Sequence, residues 1–234
     1  MTEMNQNAPA NLLAALRARM AELGLRVQAP PLVPALPLWL LDDTLPMQRL
    51  PQETINALIE APPYWSFCWG SGQALAAWLL AEPERVQGRT VLDIGSGSGV
   101  VAIAAALAGA ARVIACDLDR EALLAVSANA VLNGVTLELA TDMAPWLDQV
   151  DILTAADILY DRDNLPLLAQ FRRVPEVLLA DSRVRNLQAP GYRLVDRVQA
   201  TTWPDLSEST EFSEVRLYHA GQSPDGRRSE PSPA

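Results

Sequence analysis

Hydrophobic positions follow two rhythms along the chain. Residues 11–23 (NLLAALRARMAEL) repeat them at helical spacing, with Leu12, Leu13, Leu16 and Met20 on one face and Gly24 as the stop. The following APPLVPALPLW is proline-rich and reads as an extended connector that packs on another element. Gln52–Glu60 predicts a second helix, ended by Pro62-Pro63. An aromatic run, Tyr64-Trp65-Ser66-Phe67-Cys68-Trp69-Gly70, then leads into an apolar helix over about 73–80.

From Thr90 the rhythm changes to short apolar runs alternating with helical stretches. Strands are expected at Thr90–Ile94, 113–116, 137–140, 152–155 and 177–180. Helices are expected at 99–108, from an Asp119 N-cap to about 132 with Asn133-Gly134 as the stop, and near 164–171. Continuous apolar strands separated by helices bury both faces of a parallel sheet, which predicts a doubly wound α/β domain. Residues 192–200 and 214–220 alternate at period two, as an antiparallel terminal pair does. The expected organisation is a helical extension over 1–60, an α/β domain over 61–220, and a polar, proline-rich, disordered tail over 221–234.

Composition narrows the function. Half of the 234 residues are hydrophobic and the net charge is −10, which predicts a folded chain without a nucleic-acid-binding surface. An acidic field of that kind suits solubility, and it also attracts a cationic substrate such as a lysine on a partner protein. Two cysteines, Cys68 and Cys116, make no disulfide framework, and one histidine, His219, makes no metal site, so no metal is expected. Cys116 reads as a small buried residue, because no histidine can activate it. With neither a signal peptide nor a membrane span in view, the expectation is a cytoplasmic protein with no membrane partner.

The sharpest motif is Val91-Leu92-Asp93-Ile94-Gly95-Ser96-Gly97-Ser98-Gly99, a glycine-rich turn between a strand and a helix. Its G-x-G-x-G spacing differs from the dinucleotide turn, G-x-G-x-x-G. Asp93, two residues before the first glycine, would repel a pyrophosphate but suits the ammonium of a methionine moiety. Asp117 ends the second strand and can accept from both hydroxyls of a ribose. Asp142, after the third strand, can meet an adenine amino group beside the apolar Met143. Each aspartate alone also reads as a cap or turn residue. Three of them at the carboxyl ends of successive strands, where open α/β sheets bind ligands, point to one site.

VLDIGSGSG, CDLD and ADILYD together resemble the seven-stranded S-adenosylmethionine-dependent methyltransferases. More narrowly, Asp157-Ile158-Leu159-Tyr160 resembles the D/E-x-x-Y motif of the branch that methylates protein lysines. PPYWSFCWGSGQALAAWLL is similar to the aromatic segment of the lysine methyltransferases of the electron-transfer flavoprotein β subunit. The likeness runs over roughly 62–181, and beyond the fifth strand Asp181-Ser182-Arg183-Val184-Arg185 matches only loosely.

The resemblance implies a Rossmann-like seven-stranded sheet with its last strand antiparallel and S-adenosylmethionine as cofactor. The cofactor would be held by Trp69, Asp93, Gly95, Gly97, Gly99, Asp117, Leu118, Asp142 and Met143. Asp157 and Tyr160 would line the acceptor pocket, Asp157 orienting the amine and Tyr160 forming a wall or giving a second hydrogen bond. Tyr64 and Trp65 either surround an alkylammonium or simply pack the aromatic segment on the domain. The acceptor is expected to be a lysine of a partner protein such as the flavoprotein β subunit or a ribosomal protein. A nicotinamide-like small-molecule acceptor and a non-catalytic cofactor-binding module are the alternatives; a closed pocket capped by the N-terminal helices would favour the small molecule.

Overall fold

The computed structural model describes residues 2–44, 51–206 and 208–221. The polar tail expected beyond Gly221 lies outside the described residues, and Gly221 itself closes the last strand. Among the described residues no helix is long and apolar enough to cross a membrane.

Seven strands form one sheet: β3 (Thr90–Ile94), β4 (Arg112–Cys116), β5 (Glu138–Ala140), β6 (Ile152–Ala156), β7 (Glu176–Asp181), β8 (Tyr192–Gln199) and β9 (Glu214–Gly221). Their order is β5-β4-β3-β6-β7-β9-β8. The first five run parallel, and β9 lies antiparallel to both β7 and β8. The chain therefore builds outward from β3 to β5, returns to β6, and builds the other way. That reversal leaves a crevice beyond the carboxyl ends of β3 and β6, the place where doubly wound sheets bind ligands. β8 is the mostly exposed edge strand, and β9 is buried because it is inserted between β7 and β8.

The alternation of side chains along each strand divides the core. Val91, Val113, Leu178 and Ala180 face α3 (Gly70–Ala81) and α4 (Val100–Leu107). Leu92, Ile114, Val177 and Leu179 face α6 (Leu167–Phe171) and the segment around Leu147. Asp93, between Val91 and Ile94, points to the α3–α4 face, and this decides its role below.

The N-terminal segment forms a third layer. Leu12, Leu16 and Met20, at the end of α1 (Thr2–Arg19) and just beyond it, bury against Ala122, Ala125 and Ala128 of α5 (Arg120–Leu132), together with Trp65. α1 ends at Arg19, short of the expected residue 23, because Leu23 turns back to bond with Met20. The connector holds more structure than its prolines suggested. Its Leu38–Leu41 forms β2, antiparallel to β1 (Leu25–Gln28), so the extension contains a small sheet as well as helices. α2 (Gln52–Glu60) occupies the expected span.

Candidate active site

Five aspartates stand at the carboxyl ends of five neighbouring strands: Asp142 beyond β5, Asp117 after β4, Asp93 within β3, Asp157 after β6 and Asp181 closing β7. The glycine turn between β3 and α4 organises the middle of this row. Gly95 (φ +66°) and Gly99 (φ +84°) hold left-handed backbone, which glycine adopts without strain. Each also sits where a side chain has no room: a Cβ on Gly95 would lie 2.9 Å from Ile158 Cγ2, and one on Gly99 3.2 Å from Val126 Cα. The turn is tied to β4 by bonds from the Gly95 and Ser96 N–H groups to the Cys116 carbonyl.

Asp93 is 2% exposed. Thr154, its register partner on β6, donates to Oδ1 at 2.8 Å, while Oδ2 has no hydrogen-bond partner among the described residues. Burial, only partly offset by the Thr154 bond, pushes its carboxyl up to about 7. Asp93 lines a cleft with Trp69, Gly72, Gly95, Gly97 and Ser98. A buried carboxylate oxygen with no donor, opening on a cleft, suits a cationic ligand group.

Asp117 turns its carboxylate toward the glycine turn, accepting the Gly97 N–H at 2.9 Å and the Asp119 N–H at 3.0 Å. Burial again raises its carboxyl above the usual range. Asp142 is exposed and accepts the Ala144 N–H, while Met143 packs against the α6 side of the core. Leu118 is 89% exposed. The convergence of charge is visible at the buried Cys116 thiol, which desolvation and then Asp117, Asp142 and Asp93 push up to about 12. Cys116 is buried, as expected of it.

Asp157 adopts φ 50°, ψ 30°, the left-handed region that non-glycine residues rarely occupy. It caps no bond of its own turn. Its carboxylate instead accepts from Ser71 on α3 and from Ser182 beyond β7. Tyr160, three residues on, is 62% exposed and outside the core. Its ring lies 5.7 Å from that of Tyr64, which in turn lies 5.8 Å from Trp69. Burial of its hydroxyl, then Tyr64, Asp161 and Asp117, raise the Tyr160 phenol above its ordinary value.

The aromatic segment divides its labour. Trp65, 1% exposed, packs between α1 and α5, which removes it from any contact with an alkylammonium. Tyr64 joins the rim, and the Trp69 indole N–H fixes it by donating to the Tyr64 carbonyl at 2.9 Å. The Arg183 guanidinium stacks over Phe212 at 4.4 Å and Trp69 at 5.8 Å and pairs with Glu208 at 2.6 Å. A larger cavity of about 350 Å³, lined by Pro31, Leu32, Gln73 and residues from Gln199 to Thr202 and Glu208 to Thr210, shares no lining residue with the Asp93 cleft.

Sequence reasoning missed several supporting residues. Thr154 is the one polar residue inside β6 and marks the register with Asp93. Asn129 is fully buried on α5, donates to the Ser98 carbonyl and accepts the Trp39 N–H, so it ties the glycine turn to β2. A polar residue amid an apolar helical face was its only signal. Ser71 and Ser182 carried no pattern that linked them to Asp157.

Residues 73–162 match the family described as ribosomal protein L11 methyltransferase. The chain is 38% identical over 112 residues to the electron transfer flavoprotein beta subunit lysine methyltransferase of Homo sapiens, covering 47% of this chain and 43% of that protein. It is 34% identical over 162 residues to the protein of that name from Xenopus laevis, covering 64% and 63%. With the ribosomal protein L11 methyltransferase of Xanthomonas axonopodis pv. citri it shares 42% identity over 92 residues, 37% and 30% of the two chains. The chain thus spans less than two thirds of each of these relatives. Among solved structures, the ribosomal protein L11 methylase of Lactobacillus delbrueckii subsp. bulgaricus aligns at TM-score 0.47 and 24% identity, over 65% of this chain and 79% of that one. The stretch that carries the glycine turn, Asp93, Asp117 and Asp157 therefore lies within the residues that match the family described as ribosomal protein L11 methyltransferase.

Proposed function

We propose that the chain is an S-adenosylmethionine-dependent methyltransferase acting on a lysine of a partner protein. The observation that carries the reading is the buried Asp93 carboxylate, whose Oδ2 has no donor among the described residues at the cleft under the glycine turn. Asp93 would hold the ammonium of the methionine moiety, Asp117 the ribose hydroxyls, and Asp142 with Met143 the adenine. The exposed Leu118, beside Asp117, would cover the base with apolar surface. The fit is chemical: a cation meets an unpaired carboxylate, and a nucleoside meets acceptors flanked by apolar groups.

Bound there, the cofactor supplies an electrophilic methyl group. The protein's share is orientation, which contributes several kcal/mol and up to ~7–11 in the best cases. A lysine attacks only as the neutral amine and its pKa in water is ~10.4, so it first gives up one proton to solvent, and Asp157 then accepts an N–H of the neutral amine and holds its lone pair toward the methyl. Tyr64, Tyr160 and Trp69 give the alkyl chain and its ammonium aromatic faces, worth ~0.5–2 kcal/mol each. The openness of this rim supports a protein acceptor: Tyr64 and Tyr160 are exposed, and α1 packs on α5 instead of closing over them. Two further features agree, the names of the relatives and the net charge of −10.

The test is calorimetric titration with S-adenosylhomocysteine, followed by radiolabelled methyl transfer to purified electron-transfer flavoprotein β subunit and purified ribosomal protein L11. All 18 basic residues of the chain are arginines, so label on lysine cannot come from automethylation. A binding isotherm and lysine-linked label on one acceptor are expected. Absence of binding overturns the cofactor assignment, and label confined to small molecules overturns the protein acceptor.

A further inference from the structure

The other aspartates of this edge that sit in turns accept from a backbone N–H two residues on: Asp117 from Asp119, Asp142 from Ala144, Asp161 from Asp163. Asp157 does not. Among the described residues its four donors come from two serines, 86 and 25 residues away in the chain. The Ser71 hydroxyl reaches Oδ1 at 2.6 Å and the Ser71 N–H reaches Oδ2 at 3.3 Å. The Ser182 hydroxyl and N–H both reach Oδ1, at 2.8 and 3.2 Å. Both serines are buried, at 0% and 3% exposure.

The loading is unequal. Oδ1 takes three donors, more than its two in-plane lone-pair sites, and Oδ2 takes one long contact. Oδ2 is therefore the oxygen with capacity for another donor. Ser71 is the second residue of α3, so the carboxylate also sits at the positive end of that helix's dipole. Ser182 is presented by the turn after β7, which Asp181 folds by accepting the Arg183 and Val184 N–H groups at 3.0 and 2.6 Å. The Asp157 backbone is pinned as well, its N–H donating to the Ala180 carbonyl at 3.0 Å. A left-handed aspartate persists only where its surroundings over-determine it, and here three elements do so.

We infer that Ser71 and Ser182 are positioning residues, which saturate Oδ1 of Asp157 and leave Oδ2 as the oxygen that accepts the acceptor amine. This rests on the lysine-transfer reading above. Two of the four donors are the serine hydroxyls and two are backbone N–H groups, so Ser→Ala removes only the hydroxyl pair, and the expected result is altered turnover with both binding steps level.

The experiment compares Ser182→Ala, the double variant Ser71→Ala/Ser182→Ala, Ser182→Thr and Asp157→Ala, using labelled transfer to electron-transfer flavoprotein β subunit and calorimetry with S-adenosylhomocysteine. Expected is a kcat lowered about 10-fold in Ser182→Ala and about 100-fold in the double variant, the usual range for groups that orient a reacting side chain. KM for the acceptor and the S-adenosylhomocysteine affinity stay within about twofold, and Ser182→Thr, which keeps both donors, restores turnover. Full kcat in the double variant with an inactive Asp157→Ala overturns the clamp and leaves the lysine reading standing. A fall in kcat matched by an equal fall in S-adenosylhomocysteine affinity also overturns it, since the serines then merely support the fold. If the double variant does not fold, Ser182→Ala alone decides. Turnover retained in Asp157→Ala removes Asp157 from the mechanism and overturns the clamp while lysine transfer stands, and no label from the unaltered chain overturns the lysine reading and the clamp with it.

Discussion

β7 carries a buried acid at each end, and the two ends have opposite electrostatics. Glu176, at the amino end, is 4% exposed and receives Arg89 at 2.5 Å and His219 at 3.0 Å. Burial alone raises its carboxyl, but the bonds from His219 and Arg89 outweigh it and hold the group below its usual range. Asp181, at the carboxyl end, is 0% exposed and receives only backbone N–H groups on Oδ1, with no partner for Oδ2 among the described residues. There burial wins and pushes the carboxyl up to about 6. Asp93 repeats the pattern on β3. The amino edge answers its acid with the Arg89 guanidinium and the His219 ring and so serves stability. At the carboxyl edge one oxygen each of Asp93 and Asp181 is buried without a partner among the described residues, which costs stability and, on the proposed function, suits a cationic ligand.

The largest effect is expected from Glu176→Ala, which strands a buried His219 and a half-buried Arg89. It lowers unfolding free energy by about 3 kcal/mol in urea titration and leaves S-adenosylhomocysteine affinity unchanged. A loss of affinity of similar size would dissolve the distinction between the edges.

Asp93→Asn should do the reverse. It weakens S-adenosylhomocysteine binding about 100-fold, or about 2.7 kcal/mol, while thermal stability at pH 8 stays level or rises. An equal loss of stability would make Asp93 a structural residue.

The third effect is smaller and depends on pH. Asp93 is raised in the folded state, so its burden on stability is absent below the unfolded value near 4 and grows as pH rises toward about 7. The ligand ammonium needs the ionised form, so affinity should fall about tenfold per pH unit below 7, through the uptake of one proton. Calorimetry at pH 8, 7 and 6 checks this, and Asp93→Asn should flatten the slope. A slope that survives the substitution assigns the titration to another group.

Much of this was legible along the chain. The strands from β3 to β7 read as apolar runs because a parallel sheet covered on both faces demands them, and the glycine turn showed itself by spacing. Asp93, Asp117 and Asp142 stood out because strand ends are fixed by the chain's own rhythm, and Asp157 stood out through the resemblance of its D-x-x-Y motif. β1 and β2 did not, since two four-residue strands among prolines carry too short a period to read. Trp65 and Tyr64 are neighbours of like type, and only packing sends one into the core and the other to the rim.

The chain's own order of apolar, polar and glycine residues determined the doubly wound sheet and put acids at its carboxyl edge, because periodicity and turn chemistry are local. Only the tertiary structure decided how each acid is partnered. Ser71 meets Asp157 across 86 residues and Thr154 meets Asp93 across 61, and hydrogen bonding at such separations follows from sheet order and register, which no local pattern encodes.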